Sequence, residues 1–266
     1  MPPLLGFDQL PAPVAEQLHR VVELWKKQLP GELVGIYLHG SIALRAFRPE
    51  SGDLDVLAVV KNSLSTKRRL ALAAEMIKLD GQPRPLELSA VRLCDLHPWK
   101  TPGNCVFHYS DYWRERYQKR LSDPAAECYV VDQDFPDADV TSYIRLIRQC
   151  GIVLYGPPVS EVFEEISDED FWAAISADVD EYDFHSYAPR YLASNILILG
   201  RILSFKETHT ILSKYDAGLW MTEHVPQELK YLPLRAMKVW YEGETQTFPE
   251  DDLERLRQYL IGKIKG

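Results

Sequence analysis

Apolar residues recur at helical spacing near the start of the chain, where Val14, Leu18, Val21, Val22 and Trp25 fall on one face. That period predicts an amphipathic helix running to about Gln28, with Pro13 in its first turn. The pattern then shortens. Leu33–Gly40 (LVGIYLHG) is a brief apolar run closed by glycine and reads as a strand. Ser41–Phe47 predicts a short helix, Arg48-Pro49-Glu50-Ser51-Gly52 a turn, and Leu54–Val60 a second strand. Thr66–Leu79 returns to helical spacing through Leu70, Leu72, Ala73, Met76 and Ile77. After the breaker Gly81-Gln82-Pro83-Arg84-Pro85, Leu86–Val91 predicts a third strand. Strands alternating with helices make the first half α/β.

From Val140 onward the spacing is helical. Ser142–Leu154 predicts a helix that stops at Tyr155-Gly156-Pro157-Pro158. Asp168–Asp178, Tyr191–Phe205, Lys214–Glu223, Pro226–Tyr241 and Pro249–Ile261 follow as helices, with Pro233 kinking or splitting the fourth. The expected organisation is two domains, 1–158 and 159–266, the second all-α.

Composition works mainly by exclusion. The 266 residues are 46% hydrophobic and 26% charged, values that rule out disorder, collagen-like repeats and coiled coil. A formal net charge of −9 argues against nucleic acid as a partner and fits a small cationic substrate. The four cysteines form no CxxC pair, so neither a zinc site nor a disulfide scaffold is expected. No apolar run reaches the ~20 residues of a membrane span, and no secretory signal is visible. A cytoplasmic monomer with reduced thiols is the expectation.

The chemistry concentrates in one stretch. Gly40-Ser41 closes the first strand, and after a spacer of eleven residues comes Asp53-Leu54-Asp55-Val56. Glycine lets backbone approach a ligand, and a serine at a helix N-terminus meets free N–H groups that favour phosphate. Asp53 and Asp55, two apart on a strand, leave the same face. Paired carboxylates repel unless protonated or bridged, and hard oxygen ligands favour Mg²⁺. Glu87, between Leu86 and Leu88, points away from both leucines, toward a face the Asp pair can share. A third acid there can ligate metal or serve as general base for a hydroxyl.

In the second half, Arg201 interrupts an apolar helix and Lys214 follows Ser213, the expected N-cap of another, with Asp216 at the capping-box position. A cation at a helix N-terminus opposes the dipole, and a bound anion would explain it; a buried Arg–Asp pair and an exposed Lys are the plain alternatives. His39 reads as a strand-end histidine, and Trp172, Trp220 and Trp240 as core. Ser51 and Ser89 show no His–Asp support for nucleophilic catalysis.

The order hG[GS], spacer, Dh[DE]h and a third acid on a later strand resembles the nucleotidyltransferase superfamily. More narrowly, the chain resembles the aminoglycoside adenylyltransferases that modify streptomycin and spectinomycin. The resemblance rests on Gly40-Ser41, Asp53-Leu54-Asp55-Val56, Arg84-Pro85-Leu86-Glu87, Pro98-Trp99 with Pro102, Asp111, Arg114, and Ser213-Lys214 with Ala217 and Trp220. It implies a nucleotidyltransferase domain, with a mixed sheet flanked by helices, followed by a helical bundle, and transfer of AMP from ATP to a drug hydroxyl. It further implies Mg²⁺ on Asp53 and Asp55, Glu87 as base, and Arg201 and Lys214 on the ATP phosphates. On the substrate side it matches Tyr112, with Trp113 beside it, to an aromatic position. An acidic position before the Arg201 helix has no one-to-one match among Asp178, Asp180, Glu181 and Asp183, of which Asp178 and Glu181 are taken as candidates. The chain departs from the family in carrying Leu44-Arg45-Ala46-Phe47 where a glycine is expected, and in a spacer one residue longer. The same fold acting on a different small molecule or a protein, or an inactive nucleotide-binding module, is the alternative.

Overall fold

The computed structural model describes residues 3–184 and 188–266. The chain divides into two compact units, Leu5–Ala174 and Ile175–Gly266, the latter with the start of the chain up to Leu4.

In the first unit, α1 (Ala12–Gln28) buries Val14, Leu18, Val21, Val22 and Trp25, the face that the spacing predicts. Trp25 is fully buried, edge-on to Phe107 at 5.5 Å between ring centroids. Next come β1 (Leu33–Leu38), α2 (Gly40–Ala43), β2 (Leu54–Val60), α3 (Thr66–Leu79) and β3 (Leu86–Arg92). The first strand stops two residues short of Gly40, which turns the chain at φ +64°. The helix expected over Ser41–Phe47 shrinks to the single turn α2 because Arg45 adopts φ +55°, outside the helical region.

The remainder of the unit is β4 (Gly103–Cys105), β5 (Phe107–Tyr109), α4 (Asp111–Ser122), α5 (Tyr129–Asp132), β6 (Phe135–Asp137), α6 (Asp139–Cys150), β7 (Ile152–Tyr155), α7 (Val159–Val162) and α8 (Asp168–Ser176). The helix expected over Ser142–Leu154 is corrected: it begins at Asp139 and ends at Cys150. Gly151 is extended there (φ −61°, ψ 150°), and the next four residues pair as a strand with β1. Alternate burial of Ile152-Val153-Leu154-Tyr155 is the edge-strand signature that a helical reading overlooks.

Five strands form one mixed sheet in the order β5-β3-β2-β1-β7, with β2 and β3 parallel and the other neighbours antiparallel. β4 and β6 make a separate antiparallel pair. The parallel pair is joined through α3, which packs against α1 and α4. The loop feeding β3 is pinned from several sides. The buried Gln17 amide donates to the carbonyls of Leu79 (2.9 Å) and Arg84 (2.7 Å) and accepts from the Arg84 N–H (2.9 Å). Asp80 accepts from the Leu86 N–H (2.9 Å), the Tyr109 hydroxyl (2.9 Å) and Arg114 (2.5 Å).

The second unit is helical: α9 (Pro189–Thr208), α10 (Lys214–His224), α11 (Tyr231–Met237) and α12 (Glu250–Lys265). α9 carries a nearly continuous buried surface and packs against the other three. Ser213 caps α10, accepting from the Asp216 N–H at 3.0 Å and donating to its carboxylate at 2.7 Å. The helix expected over Pro226–Tyr241 is split into a 3-10 turn at Gln227–Leu229, α11, and a wide turn at Lys238–Glu242. Pro233 sits in the first turn of α11, where its missing N–H costs nothing. Among the described residues no helix is long and apolar enough to cross a membrane.

Replacing Gln17 with Leu removes the partner of the Arg84 N–H and one of the two donors on each of the Leu79 and Arg84 carbonyls, which keep the Gln82 and Gly81 N–H groups. The expected cost is about 1–3 kcal/mol of stability, read as a lower urea midpoint with an unchanged slope.

Candidate active site

The parallel register runs unbroken from Leu54↔Leu86 to Val60↔Arg92, and within it Asp55 stands opposite Glu87. Paired residues in adjacent strands leave the same face, so both carboxylates project from one side of the sheet. Asp53, expected on the strand, lies just before β2 begins. One carboxylate oxygen from each of Asp53, Asp55 and Glu87 comes within 4.8 Å of the other two, with Asp53 exposed and the others half-buried. Three such groups repel one another unless protons, donors or a cation compensate. An all-oxygen donor set of this spacing fits a hard divalent cation such as Mg²⁺.

The turn after β1 is shaped around Asp55. A Cβ on Gly40 would lie 1.7 Å from Asp55 Oδ2, so no other residue fits without displacing that carboxylate. The His39 N–H donates to the Asp55 carbonyl at 2.9 Å, which carries the β1–β2 ladder into the turn. Ser41, the second residue of α2, has a buried hydroxyl oxygen with no hydrogen-bond partner among the described residues. A buried, unpaired hydroxyl beside the acidic face is an open donor and acceptor for a ligand.

Glu87 is held by a residue that the sequence reading passed over. The Tyr143 hydroxyl on α6 donates to Glu87 Oε1 at 2.7 Å. Burial, and then the neighbouring Glu87 carboxylate, push that hydroxyl well above the ordinary tyrosine range, so it stays protonated as a donor. The Tyr143 ring stacks on the His39 imidazole, centroids 4.6 Å apart and planes inclined by 27°. His39 is itself buried, and desolvation lowers its pKa to about 3, leaving a neutral ring. The one available signal was a tyrosine among the apolar positions Val140, Ile144 and Ile147 of α6.

Ser89 does have a histidine partner, contrary to the sequence reading: its Oγ lies 2.8 Å from His108 Nδ1. Ser89 is 1% exposed, so this pair is closed to an attacking substrate and belongs to the sheet interior. Tyr112 and Trp113 open α4; Tyr112 is 69% exposed, and Arg116 lies over both rings at 4.4 and 4.7 Å. In the second unit, Asp178 caps the 3-10 turn Val179–Glu181 and Glu181 ends it; both are exposed. Arg201, half-buried on α9, donates from Nε to the Leu212 carbonyl at 2.8 Å. Lys214 donates to Ser194 at 2.9 Å and lies 4.0 Å over the Trp240 ring, which Arg190 also covers at 4.3 Å. Trp240, expected in the core, is a half-buried platform for two cations.

With the geometry in place, the comparisons are specific. Residues 161–263 match the family model described as the aminoglycoside adenylyltransferase, C-terminal domain. An aminoglycoside (3'') (9) adenylyltransferase from Klebsiella pneumoniae is 24% identical over 260 residues, covering 95% of each chain. A spectinomycin 9-adenylyltransferase from Campylobacter jejuni is 25% identical over 237 residues, covering 85% of this chain and 84% of the relative. The crystal structure of a spectinomycin adenyltransferase from Enterococcus faecalis, with ATP and spectinomycin, superposes with a TM-score of 0.81 at 23% identity. It covers 95% of this chain and 99% of that one. The mixed sheet with its Gly-Ser turn and convergent acids, followed by a helical C-terminal region, defines a nucleotidyltransferase-class protein. Within that class, residues 161–263 match the aminoglycoside adenylyltransferase C-terminal domain, and the chain as a whole is similar to adenylyltransferases of that family over up to 95% of its length.

Two glycines separate backbone strain from steric conflict. Gly31 (φ +74°) has nothing within 4 Å of a Cβ, whereas Gly40 (φ +64°) meets Asp55. Gly31→Ala should cost about 1 kcal/mol, and Gly40→Ala at least about twice that, by denaturant unfolding. The His39 ring should also show no protonation shift by NMR from pH 8 down to about pH 4.5.

Proposed function

We propose that the protein is an ATP-dependent adenylyltransferase that moves AMP onto a hydroxyl of an aminoglycoside or aminocyclitol of the spectinomycin or streptomycin kind. The observation that carries the reading is the convergence of Asp53, Asp55 and Glu87 on one face beside the Gly40-Ser41 turn. Relatives covering 95% of the chain bear adenylyltransferase names, which supports the same reaction class.

Asp53 and Asp55 hold Mg²⁺, which supplies charge neutralisation for the triphosphate when bound. Gly40 gives the phosphates close approach to backbone, and the unpaired Ser41 hydroxyl is a further contact for them. Glu87 takes the proton from the acceptor hydroxyl as its oxygen attacks the α-phosphorus; the bond to pyrophosphate breaks, and AMP remains on the acceptor. Arg201 and Lys214 are assigned to nucleotide phosphates; for Lys214 the neighbouring Arg190, which shares the Trp240 ring with it, supports the assignment. Tyr112 and Trp113 are assigned to the acceptor, as are Asp178 and Glu181, whose carboxylates suit a cationic drug. A two-domain organisation with the boundary near Pro158 is part of the reading, supported by the family match beginning at residue 161.

Incubation with ATP, Mg²⁺ and spectinomycin or streptomycin should add the mass of an adenylyl group to one of the drugs, with pyrophosphate released. Glu87→Gln should lower kcat by at least about 100-fold. An acceptor panel that gains no mass from ATP, or a Glu87→Gln variant with full activity, contradicts the reading.

A further inference from the structure

We infer that Tyr143 is a positioning residue for Glu87, its hydroxyl pinning one carboxylate oxygen so that the carboxylate keeps a single orientation toward the acceptor. The inference rests on the reading of Glu87 as proton acceptor, and deepens it.

A glutamate carboxylate turns easily, because its terminal torsion is broad and roughly two-fold. Strand register fixes where Glu87 leaves the sheet, but not which oxygen faces the acceptor. The Tyr143 donor at 2.7 Å from Oε1 settles that choice. The donor is in turn fixed, since its ring lies against the His39 imidazole at 4.6 Å. His39 is tied through its backbone N–H to the Asp55 carbonyl at 2.9 Å. Asp55 stands opposite Glu87 in the strand pairing. The contacts therefore run from the Asp55 backbone through His39 and Tyr143 to Glu87, so the donor that orients the base is tied to the backbone of the strand neighbour that Glu87 faces. A tyrosine that served packing alone would not need its hydroxyl on the carboxylate, and the neighbouring positions Val140, Ile144 and Ile147 of the same helix are apolar.

Tyr143→Phe keeps the ring on His39 and removes only the donor. The expected result with ATP and spectinomycin is a kcat lowered about ten-fold or more, with KM for both substrates within about two-fold. On a Glu87→Gln background the same change should add almost nothing, because the two act through one group. Thermal unfolding of each variant reads folding separately from the kcat effect. A crystal structure of the Tyr143→Phe variant supplies a reading that needs no turnover: the Glu87 carboxylate is expected to leave its present orientation. If Tyr143→Phe keeps kcat within two-fold while Glu87→Gln is inactive, or if Glu87 stays in place in the variant crystal, the positioning role falls and the base assignment stands. If Glu87→Gln keeps full activity, the base assignment fails and takes this inference with it.

Discussion

Mutual repulsion among Asp53, Asp55 and Glu87 is the constraint that much of the first unit serves. Two unit charges about 4 Å apart cost about 1 kcal/mol in bulk water and roughly 4 kcal/mol near a partly buried surface. A flexible chain would let them drift apart. Here the parallel register of β2 and β3 forbids it, since sliding by one residue would turn Glu87 to the opposite face and expose the leucines beside it. The supports around the register have the same effect. Gln17 and Asp80 lock the loop entering β3, and Arg84 donates to the Gly52 carbonyl at 2.6 Å, tying that loop to the one carrying Asp53. Gly40 leaves the space that Asp55 occupies.

The helical unit is built on a different balance. Its long helix α9 is buried along most of its length, yet the charged groups of interest are gathered near its surface, where Arg190 and Lys214 share the Trp240 ring. Cation–π contact holds each charge at modest desolvation cost. Arg201 is oriented through one nitrogen on the Leu212 carbonyl.

What could be read directly from the chain was whatever local sterics decide. Gly40-Ser41, the Asp53-Leu54-Asp55 spacing and the alternation around Glu87 each depend on neighbours one or two residues away, so the acidic face is legible in the sequence. Most helix and strand positions followed from periodicity for the same reason. Misreadings came where distant segments decide. Residues 152–155 are a strand only because the edge of β1 is there to receive them. Tyr143 reaches Glu87 across 56 positions of sequence and His39 only through the packing of α6 on α2, so no local pattern announces either contact. Trp240 looked like core because helical spacing cannot tell a buried indole from one roofed by cations.

The most direct test of the acidic face is its affinity for a divalent cation, read as thermal stability against Mg²⁺ concentration. A ligand that binds only the folded chain raises the midpoint with concentration, so Mg²⁺ at millimolar levels should raise the wild-type midpoint and leave that of Asp55→Asn nearly unchanged. An equal shift in both proteins, or none in the wild type, would contradict the account.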